Sequence, residues 1–166
     1  MSPQPQIQNR AAQEYAAIPV RVTMDALPAA VDEGFPELFR WLGEHAVTPA
    51  GPPFIRYLVI DMAGELQIEL AVPVGTKIGD GGRVRSGLLP GGRYVVLRHA
   101  GPYDGLVASN AALLRWAEQE GVALDSWDVA GGTAWRCRVE HYLTDPSAEP
   151  DPAKWEVDVA VLAAET

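Results

Sequence analysis

Two segments of the chain carry apolar residues at the spacing of an amphipathic helix. The apolar stripe of the first segment, over residues 27–46, consists of Leu27, Val31, Phe35, Leu38, Leu42 and Ala46. Pro36 lies inside this pattern and predicts that the helix begins near Gly34 or is kinked there. The second segment follows Gly101-Pro102 and ends at Gly121, a residue type that commonly terminates helices.

Alternating apolar and polar positions predict strands on both sides of each helix. Strand candidates precede the helices at residues 15–24 and 94–100, and follow them at 54–61, 66–72, 135–143 and 155–161. The order strand-helix-strand-strand therefore occurs twice. The two helices also share a pattern, since Leu38-Phe39-Arg40-Trp41-Leu42 parallels Leu113-Leu114-Arg115-Trp116-Ala117.

A single helix is too small to cover one face of the sheet that each repeat would form alone, so we expect the two repeats to join into one sheet. The predicted fold is α+β, with duplicated strand-helix-strand-strand modules at about residues 14–74 and 83–163 forming one antiparallel sheet under two helices. A further strand over residues 84–89 is predicted to pair with 94–100 as a hairpin across Pro90-Gly91-Gly92. The glycine-rich residues 75–82 are expected to be a flexible connector, and residues 1–13 a flexible N-terminus.

Composition excludes several classes of function. The chain of 166 residues has 22 acidic and 13 basic residues, a net charge of −9, and its arginines are scattered, so we expect no direct nucleic-acid binding. Cys137 is the single cysteine, which excludes an intramolecular disulfide and a thiolate zinc cluster. His45, His99 and His141 lack short-spaced partners, and we expect neither a metal nor a cofactor. No apolar run is long enough to span a membrane and no signal-peptide pattern is present, so a cytoplasmic setting is expected.

Several separated motifs bear a family resemblance. They are Phe35-Pro36-Glu37-Leu38-Phe39, Ala71-Val72-Pro73-Val74, Leu89-Pro90-Gly91-Gly92-Arg93-Tyr94, His99-Ala100-Gly101-Pro102-Tyr103-Asp104 and Arg138-Val139-Glu140-His141-Tyr142-Leu143-Thr144-Asp145-Pro146. Together they resemble the GyrI-like small-molecule-binding family, the AraC-type effector-binding domain. The resemblance implies one such domain over residues 14–166, with a ligand cleft between its two halves. With about a dozen residues before Tyr15, we expect no helix-turn-helix segment and therefore a standalone member.

The resemblance places a glutamate on the strand after the second helix, in the cleft, where it meets the positive charge of a ligand. The matching residue is Glu140. Strand alternation predicts that Arg136, Arg138, Glu140 and Tyr142 share one face, and that Trp135, Cys137, Val139, His141 and Leu143 share the other. The alternative interpretation is an exposed strand carboxylate paired with Arg136 or Arg138.

Aromatic residues are further candidates for the cleft. Tyr57 lies on the equivalent strand of the first repeat, and Trp135 begins the strand of Glu140; both could line the cleft or belong to the core. Tyr103 opens the second helix and could reach the mouth of the cleft or serve the geometry of the turn. The ligand-binding set is therefore predicted as Glu140, Tyr142, Tyr57, Trp135 and Tyr103.

Two functions from different classes fit these residues. The leading hypothesis is a protein that captures or senses hydrophobic, cationic aromatic compounds, as in multidrug or toxin resistance, with Glu140 supplying charge complementarity. The rival is a hydrolase, known among standalone members, that opens reactive cyclopropane-bearing natural products with Glu140 as the catalytic carboxyl. A pure interaction protein is a third hypothesis, although no feature of the sequence marks a partner surface. Ligand identity and oligomeric state stay open.

Overall fold

The computed structural model describes residues 4–165. Its sheet and helices are β1 (Gln6–Arg10), β2 (Gln13–Val22), α1 (Leu27–Glu44), β3 (Phe54–Ile60), β4 (Leu66–Pro73), β5 (Arg85–Leu89), β6 (Gly92–Ala100), α2 (Leu106–Gln119), β7 (Ser126–Val129), β8 (Gly132–Trp135), β9 (Arg138–Tyr142) and β10 (Glu156–Leu162). Within this range no helix is both long enough and apolar enough to cross a membrane.

All the strands belong to one sheet in the order β1-β6-β10-β9-β3-β4-β2-β5, with the β7–β8 hairpin attached to β3. The pairings along this order are antiparallel. The predicted α+β fold, a single antiparallel sheet with two helices, is confirmed. Strands β2, β3 and β4 surround α1 in sequence, and β6, β9 and β10 surround α2, so the β9–β3 pairing joins the two halves.

The sheet curls so that its two ends approach each other. Two-residue links, 11–12 and 90–91, connect β1 to β2 and β5 to β6, although these strands lie at opposite ends of the strand order. The links pass closely, since a Cβ on Gly91 would lie 3.0 Å from the Ala12 backbone nitrogen. The predicted hairpin between β5 and β6 is therefore wrong: β5 pairs with β2, and β6 pairs with β1 and β10.

Both helices pack on the same face of the sheet, which we call the helix face. Leu38 and Leu42 of α1 pack near Val72 of β4, and Leu113 of α2 packs near Val159 of β10. The opposite face lines the inside of the curl, where residues from both ends of the strand order form a single core. We call it the inner face. Its buried residues are Tyr15, Ala17, Phe54, Ala71, Leu89, Tyr94, Val96, Cys137, Val139, Ala160 and Leu162.

Two local predictions need correction. Helix α1 begins at Leu27 and continues through Pro36, so the first of the two alternatives, a start near Gly34, is wrong. Leu27 and Val31, which precede the proline, pack against the apolar cluster under the helix, and this burial offsets the backbone hydrogen bond that Pro36 removes. Gly34 permits the close approach of the helix to the sheet, since a Cβ there would collide with Leu70 Cδ1. The predicted flexible N-terminus contains β1, whose polar strand satisfies the open edge of β6; residues 1–3 lie outside the described range.

Candidate functional site

Glu140 lies at the seam between the two halves of the fold. It belongs to β9 and is paired with Ile55 of β3 on one side and Val159 of β10 on the other. Its neighbour on the same face, Tyr142, packs against the apolar clusters under both helices. The helix face of β9 therefore lies between the clusters under α1 and α2, and we call this region the Glu140 groove.

The Glu140 side chain is only 6% exposed, yet both carboxylate oxygens have hydrogen-bond donors. Its Oε1 accepts from the hydroxyls of Tyr57 and Tyr142, each at 2.8 Å. Its Oε2 accepts from Asn110 Nδ2 of α2 at 3.1 Å. Side chains from both halves thus converge on one carboxylate, and all three donors are neutral.

Burial and the Glu140 charge act together on the two phenols. Burial is the larger cause that raises the pKa of Tyr57 well above its usual value, and the Glu140 carboxylate raises it further. The pKa of Tyr142 is raised well above its usual value by the same causes in the same order. Both hydroxyls therefore stay protonated at neutral pH and keep donating to Glu140.

Arg138 is the cationic residue closest in sequence to Glu140, but it is linked to the carboxylate only through the side-chain amide of Asn110. Its Nη2 donates to Asn110 Oδ1 at 3.0 Å, and its guanidinium carbon lies 4.6 Å from the Trp135 ring centroid. Burial lowers the pKa of Arg138, while Glu140 opposes that shift. Among the described residues, no Lys, Arg or His forms a salt bridge with Glu140.

The alternative interpretation of Glu140 as an exposed, paired carboxylate does not fit this geometry. Arg136 forms its salt bridge with Asp125, at 3.5 Å, and stacks on Trp127. Glu140 is buried and hydrogen-bonded only by neutral groups, so it is neither exposed nor paired with a cation.

Strand alternation predicted the faces of β9 correctly. The hydrogen bond between Tyr142 and Glu140 puts both on the helix face, and His141 packs on the inner face, with its ring 5.1 Å from that of Phe54. Trp135 is a correction, because it lies with Arg138 on the helix face and not with Cys137. The strand is interrupted between the end of β8 and the start of β9, and this break resets the alternation.

An aromatic cluster adjoins the carboxylate. The ring of Tyr103, just before α2, lies edge-on to Tyr142 at 5.6 Å between centroids and 4.9 Å from the ring of Trp155. Trp135 is partly buried, and its Nε1 has no hydrogen-bond partner in the described chain. The five predicted residues thus lie around one groove; their contact with a ligand stays a prediction.

Sequence reasoning missed Asn110 and Trp155 as site residues. Asn110 could have been found, because it interrupts the apolar stripe of α2 between Leu106 and Leu113, where a polar side chain needs a buried partner. Trp155 could also have been found, because alternation over the predicted strand 155–161 puts it on the same face as Val157 and Val159, which is the helix face.

Two concavities lie away from Glu140. One, of about 590 Å³, is at the C-terminal end of α1 beside Trp41, His45 and the glycine-rich residues 75–80. The other, of about 280 Å³, opens on the inner face. We assign the candidate site to Glu140 because polar side chains from both halves converge there. In residues 4–165, no group of three or more acidic, histidine or cysteine side chains could hold a metal ion.

The sequence profile described as the GyrI-like small molecule binding domain matches residues 3–162. The chain belongs to this family. The groove at Glu140 is our candidate for the small-molecule-binding region of this GyrI-like domain. A comparison with curated protein sequences finds no match.

Several solved structures share the fold of this chain over almost its whole length. EcmrR in its complex with DNA has a TM-score of 0.84 at 16% identity; the match covers 100% of this chain, which spans 59% of that protein. The crystal structure of the EcmrR C-terminal domain gives 0.76 at 16% identity, with full coverage of both chains. A hydrolase from Listeria innocua gives 0.65 at 16% identity, covering 97% of this chain and 92% of that one. SAV2435 bound to tetraphenylphosphonium gives 0.61 at 10% identity, covering 97% and 94%.

Proposed function

We propose that this protein binds hydrophobic, cationic aromatic molecules at Glu140, as a capture or sensing module for drug-like compounds or toxins. One observation carries the proposal: Glu140 is buried, its three hydrogen-bond donors are neutral, and no described residue forms a salt bridge with it. A buried charge is costly unless an opposite charge is close. A ligand cation would supply that charge.

The rings beside Glu140 suit the rest of such a ligand. Tyr103, Tyr142 and Trp155 form a chain of aromatic contacts next to the carboxylate. Cation–π contact with rings of this kind contributes roughly 0.5–2 kcal/mol, most when water is excluded. The complex of SAV2435 with tetraphenylphosphonium supports this ligand class by showing one such cation on a protein of similar fold.

Entry of a ligand requires side chains to move. Because Glu140 is 6% exposed, a bulky cation reaches it only after rings such as Tyr103 rotate away from Tyr142. Affinity falls in proportion to the fraction of molecules in the open arrangement. We therefore expect dissociation constants around the micromolar range.

Charge selectivity tests the proposal directly. Tetraphenylphosphonium and tetraphenylborate have nearly the same shape and opposite charge, so a titration with each isolates the electrostatic contribution. We expect the cation to bind at least about tenfold more tightly, because Glu140 attracts one ion and repels the other. Equal affinity for the two ions, measured by calorimetry, would remove the basis for assigning Glu140 this role.

Arg138 should compete electrostatically with a bound cation. Its guanidinium lies on Trp135 and is linked to Glu140 through Asn110, so it partly neutralises the carboxylate. Replacing Arg138 by Met keeps an aliphatic chain against Trp135 and removes the charge. We expect Arg138→Met to bind tetraphenylphosphonium about three- to tenfold more tightly than wild type. The exposed Arg115→Met variant is the matched control, and an equal gain in both variants would refute a local effect.

A hydrolase is the second candidate function. The similar fold of the Listeria innocua hydrolase and the carboxylate between two protonated phenols favour it. In this reaction water attacks a carbon of an electrophilic cyclopropane while Glu140 takes the water proton. The ring C–C bond breaks, its electron pair moves to the conjugated carbonyl, and a proton from the Tyr57 or Tyr142 phenol completes the product. Glu140 then passes the proton that it took from water to that phenolate, to which it is hydrogen-bonded, and the site returns to its starting state.

Mass spectrometry separates binding from turnover. An alkylating agent that contains a cyclopropyl ketone should gain the mass of one water when it is incubated with the protein, if the protein is a hydrolase. Turnover that disappears in Glu140→Gln and persists in Glu118→Gln, an exposed carboxylate of α2, would make the hydrolase the leading function. Recovery of unchanged substrate in the presence of tight binding would leave binding as the function.

A further inference from the structure

The inner face carries a second cavity, directly behind Glu140. It has a volume of about 280 Å³ and lies where the two short links cross the ends of the curled sheet. Val139 and His141, the neighbours of Glu140 on β9, both line it. Because neighbouring strand residues point to opposite faces, the sheet itself separates this cavity from the Glu140 groove.

Arg10 is the charged residue of this cavity and has no acidic partner in the described chain. Its Nε and Nη2 donate to Gln8 Oε1 at 3.4 and 3.2 Å, and its Nη1 lies 3.3 Å from His141 Nε2. The guanidinium carbon lies 5.6 Å from the Tyr94 ring centroid. No Asp or Glu is among the residues that line the cavity. The cavity therefore carries one uncompensated cation, although the whole chain has a net charge of −9.

His141 does not neutralise the positive charge of Arg10. Burial is the main cause that lowers its pKa to about 4; Arg10 lowers it further, and Asp158 on the paired strand β10 opposes the shift. The ring is therefore neutral at physiological pH, and its Nε2 can accept a hydrogen bond from Arg10. Arg10 still has N–H groups that neither Gln8 nor His141 occupies, since a guanidinium has five.

We propose that this cavity is a second ligand site, which binds a small carboxylate with an apolar body. The guanidinium of Arg10 matches a carboxylate in two-point geometry. The apolar walls are supplied by Leu89, Tyr94 and Val139. The volume is near the lower end of the range for small-molecule sites, roughly 300 Å³, which suits a ligand the size of benzoate.

Benzoate and its neutral analogue benzamide test the proposal. Titration of the protein, observed by calorimetry and by NMR of the His141 ring, should show saturable binding of benzoate and much weaker binding of benzamide. Arg10→Gln should weaken benzoate binding by at least about tenfold. Arg10→Lys keeps the charge but loses the planar guanidinium that binds a carboxylate at two points, and it should weaken binding by less. Arg93→Gln is the matched control, because Arg93 is exposed and close to the same sheet edge.

The outcome is independent of the function proposed for Glu140. Glu140→Gln should leave benzoate affinity within about twofold of wild type, and Arg10→Gln should do the same for tetraphenylphosphonium. The proposal would be overturned by equal binding of benzoate and benzamide, or by equal weakening in Arg10→Gln and Arg93→Gln. It would also be overturned if benzoate at about 10 mM left the His141 ring signals unchanged.

Discussion

Replacing Glu140 by Gln should weaken tetraphenylphosphonium binding by at least about thirtyfold, which corresponds to about 2 kcal/mol. The substitution keeps the size of the side chain and an oxygen that can accept from Tyr57 and Tyr142, but it removes the charge that faces the ligand. Calorimetric titration of wild type and variant measures the difference. Circular dichroism must first show that the variant is folded, because its new amide group would meet the donor of Asn110.

The matched control is Glu118→Gln, which changes the net charge equally at an exposed position of α2. Its affinity for the cation should stay within about twofold of wild type, since salt screens exposed charges at a distance. A similar loss in both variants would show that the overall negative charge of the protein, and not Glu140, attracts the cation.

Above pH 10 the protein should unfold in one cooperative step in which its tyrosines ionise together. Burial is the leading cause that raises the pKa of all five tyrosines. An unfolded tyrosine loses its proton near pH 10. The unfolded state therefore binds fewer protons than the folded state above that pH, and the free energy of unfolding falls as pH rises.

The expected slope is large. Each deeply buried phenol removes up to about 1.4 kcal/mol of stability per pH unit above the unfolded pKa, and the effects of several such groups add. Phenolate absorbance and far-ultraviolet circular dichroism should therefore change together in a pH titration. Tyr142→Phe should reduce the slope of the unfolding free energy against pH by the contribution of a single phenol. Gradual ionisation near pH 10 with the circular dichroism unchanged would show that the hydroxyls are accessible in the folded protein.

Local patterns in the sequence predicted the elements and the floor of the site. The paired helical stripes and the repeated strand order predicted the α+β fold, because apolar periodicity records which face each element buries. On β9, simple alternation placed Glu140 beside Tyr142 and away from His141. These inferences depend only on residues close together in the chain.

Local sequence patterns did not predict features that depend on contacts between distant parts of the chain. The turn chemistry at Pro90-Gly91-Gly92 indicated a hairpin, but the curl of the sheet makes the same short link connect its two ends. The face of Trp135 depends on a break between β8 and β9 that alternation does not reveal. The role of Asn110 between Arg138 and Glu140 requires α2 to lie across β9.

The position of the ligand charge tests the central claim most directly. Tetraphenylarsonium has the shape and charge of tetraphenylphosphonium, and its arsenic atom can be located by anomalous diffraction in a crystal of the complex. We expect the arsenic peak on the helix face, within about 6 Å of the Glu140 carboxylate and beside the rings of Tyr103 and Tyr142. A peak in the cavity beside Trp41 and His45, with the Glu140 groove closed, would contradict the account.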